Sequence, residues 1–194
     1  LERHGNDLLV QEIELLRRCV ASERARRPFA ILAWVVLPEH MHWLWRLPEG
    51  DADFATRWRR IKTDFSRGLP KQERRSAVRV ARGERGIWQR RYWEHQIRDE
   101  SSLQRRMDYI HYNPVKHGWV KRPADWPHSS FVHHVSRGMY PADWAEAPTL
   151  QVGGDMRRGV GELDGEGEVV GGVVVARFGA NAYKVIADVK AKLV

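Results

Sequence analysis

The stretch "PFAILAWVVLPEHMHWLWRLPEG", residues 28–50, decides the fold of this chain. It is rich in β-branched and aromatic residues, and prolines stand near both of its ends. Such a composition is typical of strands in a sheet. We therefore predict two strands, at residues 29–36 and 40–47, joined by a tight turn at residues 37–39.

The segments on either side of this hairpin predict further helices and a strand. Apolar residues at helical spacing indicate a helix at residues 7–25, and a second helix follows Asp51 or Asp53 as its cap. The segment "IWQRRYWEHQI" reads as a strand, and "SSLQRRMDYIHYNP" reads as a helix. The order α-β-β-α-β-α predicts an α+β fold, a ferredoxin-like split βαβ sandwich with an antiparallel sheet whose first strand is missing.

Local signals set the expected ends of these elements. Ser101 or Ser102 is expected to cap the last helix, and Pro114 disfavours helical geometry at Asn113 and is expected to end it. Residues 70–86 are polar, basic and poorly periodic, so we predict a loop there.

Charge and composition divide the chain near residue 150. The net charge is +8, yet residues 151–194 hold six basic and six acidic residues, so the excess charge lies in residues 1–150, as do all nine tryptophans. Nine of the sixteen glycines lie in the tail. We predict a basic domain at residues 1–150 and a glycine-rich tail of unassigned role at residues 151–194. The basic balance favours an anionic partner, most commonly nucleic acid.

Cysteine count and hydropathy indicate the compartment. Cys19 is the only cysteine, which excludes an internal disulfide and a cysteine-based zinc site. No apolar run approaches the roughly 20 residues that span a bilayer, and the first 20 residues contain no signal-peptide pattern. The sequence therefore predicts a cytoplasmic protein that does not bind a membrane.

The two histidines of the hairpin share a face. Because side chains alternate along a strand, His40 and His42 point one way, while Met41, Trp43 and Trp45 point the other and can pack on helices. Two imidazoles on one face can hold a single cation. Two hydrogen-bonded histidines at the start of a strand are the alternative.

The last helix presents polar groups beside an apolar stripe. The stripe consists of Leu103, Met107 and Ile110. Tyr109 and Asn113, one turn apart, lie on its flank together with Arg105 and Arg106. A phenol oxygen can attack a phosphodiester, and an amide oxygen can join two imidazoles around a divalent cation. The alternative is a tyrosine that packs at the edge of the core.

Three long motifs carry a resemblance to a known family. They are "AWVVLPEHMHWLWRLPEGDADFATRWRRIK", "IWQRRYWEHQIRDE" and "DYIHYNPVKHGWVKRPADWPHSSF". In this order they resemble the REP-associated tyrosine transposases, single-tyrosine members of the HUH transposase superfamily. The resemblance extends over residues 7–145.

The resemblance implies a site and a reaction. His40 and His42 would bind Mg²⁺ or Mn²⁺, with Asn113 completing the metal site. Tyr109 would attack single-stranded DNA beside a hairpin repeat and form a 5′-phosphotyrosine intermediate. The residues that we expect to contact DNA are Arg57, Arg60, Arg98, Arg105, Arg106 and Lys116.

Several alternatives remain open at this point. A catalytically inactive or domesticated relative would recognise repeat hairpins without cutting, and the chain would act as a monomer or a homodimer. Family members usually begin with a strand that this chain lacks, so the recorded start is too late or the copy is decayed. Lys116 and His117 follow Pro114 in the sequence and are close enough to reach a phosphate. Three tryptophans can stack on bases or belong to the core, namely Trp119, Trp126 and Trp144.

Overall fold

The protein is described by a computed structural model that covers residues 7–71, 73, 75–89, 92–97, 99–145 and 172–176. The described part of the chain contains both helices and strands, with a 3₁₀ turn at Pro123–Asp125. The helices are α1 Leu8–Gln11, α2 Ile13–Arg26, α3 Phe54–Gly68, α4 Ala77–Ala81, α5 Glu100–Lys116 and α6 Phe131–Ser136. The strands are β1 Ala30–Val36, β2 Met41–Arg46, β3 Trp93–Ile97 and β4 Gly172–Ala176.

The predicted hairpin is present and antiparallel. β1 pairs with β2, with Trp34 opposite Trp43, and the Leu37 amide donates to the His40 carbonyl across the turn at 2.8 Å. Met41, Trp43 and Trp45 are buried against α2 and α3, as their shared face predicts. Because side chains alternate along β2, the His42 side chain points to the other face of the sheet.

The two predicted helices that pack on Met41, Trp43 and Trp45 are present, and the first of them is interrupted once. The helix predicted at residues 7–25 is divided at Glu12, whose backbone leaves helical geometry (φ −103°, ψ 30°). α3 begins after Asp53, whose side chain accepts the Thr56 amide at 3.0 Å. A side-chain oxygen at this position satisfies one of the unpaired amides of the first turn.

The predicted loop at residues 70–86 contains a short helix. Residues Ala77–Ala81 form α4, which follows Ser76 and leaves Val78 and Val80 exposed. The expectation of a loop was wrong over these five residues, because one helical turn without a buried face produces little periodicity.

Helix α5 runs past its proline. Pro114 was expected to end it at Asn113, but the helix continues to Lys116. A proline cannot donate the backbone hydrogen bond that its own amide would make to the residue four positions earlier. Pro114 lies two residues before the end of α5, so this loss affects the last turn only. The His117 amide still donates to the Asn113 carbonyl at 3.0 Å, and Gly118 then ends the helix with φ +72°. The amino-terminal cap is Asp99 rather than Ser101 or Ser102.

The sheet has the order β1-β2-β4-β3. β4, from the region predicted as a tail, lies between β2 and β3 and is parallel to both. The sheet is therefore mixed: the antiparallel arrangement holds for β1 and β2 only. The interior position that we expected to be vacant is filled by backbone pairing with residues 172–176. The predicted domain boundary near residue 150 and the rest of 151–194 lie outside the described residues.

Two apolar layers flank this sheet. One packs α2 and α3 on it through residues such as Leu16, Trp45 and Phe65. The other packs α5 on it through Leu103, Met107 and Ile110, together with Leu44 and Phe131. No helix in the described part of the chain is long and apolar enough to cross a membrane. His42 faces the α5 layer, and that layer holds the candidate site.

Candidate active site

The structure brings the two histidines and the helix tyrosine together. His40 is the last residue of the hairpin turn, and His42 is the second residue of β2. Their ring centroids lie 5.3 Å apart with the rings nearly perpendicular. The Tyr109 ring meets His42 edge-on, with 5.4 Å between centroids. A strand and a helix that lie more than 50 residues apart in the sequence thus place two imidazoles and a phenol in one cluster.

Burial keeps both imidazoles neutral at pH 7. The pKa of His40 falls to about 4, first because burial disfavours the imidazolium and second because His117 adds positive charge nearby. The pKa of the buried His42 lies well below its usual value, again mainly through burial and then through the neighbouring His40. A neutral imidazole keeps a lone pair for a metal ion or a hydrogen-bond donor.

Asn113 adds a side-chain amide without a hydrogen-bond partner to the cluster of His40, His42 and Tyr109. It is fully buried, one turn after Tyr109, and neither its Oδ1 nor its Nδ2 has a hydrogen-bond partner. It lies close enough to His40 to oppose part of the fall in that pKa, although no atom pair meets hydrogen-bond geometry. A buried amide without a partner is costly unless a ligand satisfies it.

These three side chains fit a divalent cation. Imidazole nitrogen and amide oxygen are both common metal donors. Within the described ranges no group of three or more His, Cys, Asp or Glu residues is close enough to hold a metal ion, so Asn113 is needed for a third protein donor. An ion held by three protein donors would keep further coordination positions open.

Two residues at the end of α5 flank the cluster. The Lys116 ammonium lies 3.5 Å from the Tyr109 hydroxyl oxygen and 5.1 Å from the centroid of its ring. The exposed His117 ring lies 4.9 Å from His40. His117 was placed near a phosphate by the sequence but was not among the predicted metal or DNA ligands. Its contact with His40 arises because α5 continues beyond Pro114.

Two further arginines that were predicted to contact DNA lie on α5. Arg106 is close enough for its charge to lower the pKa of His42. Arg105 is exposed on α5 and donates to Ser101 and Ser102 at 3.2 and 3.1 Å. Both arginines therefore lie on the helix that carries Tyr109. Arg98 lies outside the described residues.

Arg57 was predicted to contact DNA, but the structure places it inside the protein. It is 2% exposed, and its guanidinium pairs with both oxygens of Asp51, at 3.2 and 2.6 Å. Three backbone carbonyls accept its remaining hydrogens. It is a scaffold residue rather than a DNA contact, because its donors are already used inside the protein. Arg60 is exposed, but α3 covers the other face of the sheet from Tyr109.

Comparison with known proteins identifies relatives of this chain. No family model matches the chain. The chain is 48% identical to the REP-associated tyrosine transposase of Escherichia coli (strain K12) over 145 residues, which cover 75% of this chain and 80% of that protein. It is 48% identical over 130 residues to a putative REP-associated tyrosine transposase of Haemophilus influenzae, covering 66% of this chain and 74% of that protein.

A solved structure matches as well. A REP-associated tyrosine transposase bound to a REP hairpin superposes with a TM-score of 0.66 at 47% identity, over 77% of this chain and 82% of that chain. This chain belongs to the family of REP-associated tyrosine transposases.

A shorter match points elsewhere. Over 76 residues the chain is 45% identical to the cation efflux system protein CusA of Escherichia coli (strain K12). These residues cover 39% of this chain but only 7% of that protein. A match to so small a part of that protein transfers no activity to this chain.

Proposed function

We propose that this chain is a metal-dependent, single-tyrosine transposase that cleaves and joins single-stranded DNA beside hairpin repeats. The observation that carries the proposal is the placement of the Tyr109 ring against His42, with the Lys116 ammonium at its hydroxyl. Attack on an anionic phosphodiester needs positive charge beside the phosphate, and this cluster supplies a cationic group and metal-binding groups next to the phenol.

The proposed reaction is a phosphoryl transfer in two directions. The Tyr109 oxygen attacks the phosphorus and loses its proton, the bond from phosphorus to the 3′ oxygen breaks, and that oxygen leaves as a 3′-hydroxyl after taking up a proton. The DNA end is then held as a 5′-phosphotyrosine. Attack by another 3′-hydroxyl reverses the step and joins the strands. No oxidant, reductant or nucleotide cofactor is needed for this balance.

Three residues would hold the metal ion: His40, His42 and Asn113. A bound divalent ion supplies charge neutralisation at the phosphate oxygens and orients the phosphate for in-line attack. The ion that we propose is Mg²⁺ or Mn²⁺, with the DNA phosphate adding oxygen ligands. Imidazole donors alone would favour zinc or nickel in intrinsic affinity, so titration with several ions is part of the test.

The DNA would lie across the exposed end of α5. Arg105, Arg106 and Lys116 supply positive charge there, next to Tyr109. The solved relative was bound to a REP hairpin, which supports hairpin repeats as the substrate class. A protein that acts on such repeats would work at the nucleoid. In the same proposal the fold is ferredoxin-like, with β4 in the position of the first strand.

The test is formation of a covalent adduct. The full chain is incubated with Mn²⁺ and a labelled oligonucleotide that contains a hairpin and a single-stranded flank, and the products are run on a denaturing gel. We expect a shifted protein–DNA band that Tyr109→Phe and EDTA both abolish. Tyr112→Phe is the matched control, because Tyr112 is on the same helix but packs on Trp144 instead.

A hairpin-binding module without catalysis is the second candidate, favoured by the hairpin-bound relative. In that case wild-type protein would bind the hairpin tightly and yield no adduct with any divalent ion. An adduct that persists in Tyr109→Phe would contradict the assignment of the nucleophile.

A further inference from the structure

Three tryptophans that the sequence allowed to be either core residues or base-stacking residues differ in their burial. Trp144 packs on Phe131 and Tyr140, with ring centroids 5.7 and 5.1 Å away. Trp126 lies at the edge of the same apolar layer. Trp119 is 52% exposed. Among the tryptophan, tyrosine and phenylalanine side chains whose burial the structure describes, Trp119 is the exposed one, and the other exposed large apolar side chains there are valines.

Trp119 is exposed but held in place. Its backbone amide donates to the Pro114 carbonyl at 2.9 Å, which fixes it to the end of α5. Its ring lies 6.1 Å from that of Trp126 at an angle of 42°. Trp126 is anchored in turn, because its indole N–H donates to the Val36 carbonyl at 2.9 Å. The Trp119 ring thus lies beside an anchored ring, and a large part of the residue remains open to solvent.

Two separate connections lead from Trp119 to the candidate active site. Trp119 follows His117 by two residues, and the His117 ring contacts His40. Through Trp126 it also reaches Val36, which pairs across the hairpin with Met41, the residue between the two histidines. The exposed indole therefore lies at the end of the sheet where the hairpin turn presents His40.

The charge around Trp119 favours a nucleobase over an apolar protein partner. Lys116 and Lys121 flank it in sequence and are exposed. A single exposed aromatic ring among cations is the arrangement that binds single-stranded nucleic acid, in which bases stack and phosphates pair with the cations. A protein interface of ordinary size would need a much larger apolar patch.

We propose that Trp119 stacks on a nucleobase of single-stranded DNA that binds at the end of α5. The residue acts in binding and positioning rather than in bond formation. This proposal rests on the proposed function only in taking DNA as the ligand. It is tested by binding in the full-length Tyr109→Phe protein, which cannot form the adduct, so its outcome is separate from that of the cleavage assay.

The experiment measures affinity for a hairpin with a single-stranded flank, by fluorescence anisotropy at fixed salt. Stacking on an aromatic side chain contributes about 1–3 kcal/mol, which corresponds to a loss of about 5- to 150-fold in affinity for Trp119→Ala. Trp119→Phe should retain most of the affinity. Val132→Ala, which removes another exposed apolar side chain, is the control and should leave affinity unchanged.

A scan of abasic nucleotides along the flank identifies the stacked base. At one position, loss of the base should weaken binding of the Trp119 protein and leave Trp119→Ala unaffected, since the interaction is already absent there. Equal losses for both proteins at every position would overturn the proposal. So would unchanged affinity of Trp119→Ala, or a large drop in its melting temperature, which would make Trp119 a core residue.

Discussion

The ammonium of Lys116 lies 3.5 Å from the hydroxyl oxygen of Tyr109 and also stands over the face of the same ring. The two residues are seven apart, two turns of α5, so the helix itself fixes their relation. In the proposed reaction, a cation at this place would pair with the phosphate that the phenol attacks and would interact more strongly as charge develops there.

We expect Lys116→Met to slow adduct formation by about 100-fold, the typical effect of removing one group that stabilises transition-state charge. The melting temperature should not change, because Lys116 is exposed. Single-turnover adduct formation at saturating DNA gives the rate. Lys71→Met, another exposed lysine, is the control; equal rates in both variants would remove Lys116 from the site.

Asn113→Leu should separate metal binding from folding. Without a metal ion, the buried amide of Asn113 has no partner, so an apolar side chain of similar size should be neutral or stabilising. Addition of Mn²⁺ should raise the melting temperature of the wild-type protein but not of the variant, since a ligand stabilises only the state that binds it. Thermal melts with EDTA and with Mn²⁺ measure both effects.

Two outcomes would contradict this account of Asn113. A strongly destabilised variant in EDTA would mean that the amide has a structural partner. A melting temperature that rises equally with Mn²⁺ in both proteins would place the ion elsewhere.

Arg57→Met should destabilise the protein without affecting DNA binding by the folded fraction. Removing one member of a buried ion pair costs about 3 kcal/mol, and Asp51 would lose both of its guanidinium contacts. Urea denaturation measures the change. Arg60→Met, on the exposed side of the same helix, should leave stability within about 0.5 kcal/mol. Weaker DNA binding by fully folded Arg57→Met would contradict the scaffold role.

Acid should destabilise the protein through two buried histidines, His111 on α5 and His134 on α6. Burial lowers the pKa of His134 to about 4 from 6.5, and the pKa of His111 is also lowered, by burial and then by His134. Above pH 6.5 both rings are neutral in the folded and unfolded states. As pH falls from 6.5 towards 4, the unfolded state takes up protons first, so stability is lost in that window, by about 3 kcal/mol for His134.

The pH dependence is checked by urea denaturation between pH 7 and pH 4.5. His134→Asn should show a shallower loss of stability across this range than the wild-type protein. His133→Asn, a change at the exposed neighbour on α6, should keep the wild-type slope. Equal slopes in all three proteins would exclude His134 as a source of the acid sensitivity.

Local patterns in the sequence predicted the centre of the structure. Alternation along the hairpin assigned Met41, Trp43 and Trp45 to one face and His42 to the other, and helical periodicity placed Tyr109 and Asn113 on one side of α5. These relations depend on neighbours a few residues apart, which is the range over which periodicity carries information.

Relations between distant residues were not predictable in this way. The partner of Arg57 depends on how the loop at Asp51 folds back, and a basic residue on an amphipathic helix has the same pattern whether it faces solvent or a carboxylate. The pairing of β4 joins residues more than 120 positions from β2. The role of Pro114 depended on its distance from the end of the helix, which the sequence fixes only within a few residues.

The position of β4 has a consequence for how the chain reaches its native state. Residues 172–176 are synthesised after every other described residue, yet they separate β2 from β3. During translation the hairpin with its two imidazoles can form early, but one edge of β2 then lacks its neighbour until the ribosome has passed this segment. An unpaired strand edge invites association with other chains. A nascent or prematurely terminated product is therefore expected to be the form most prone to aggregate.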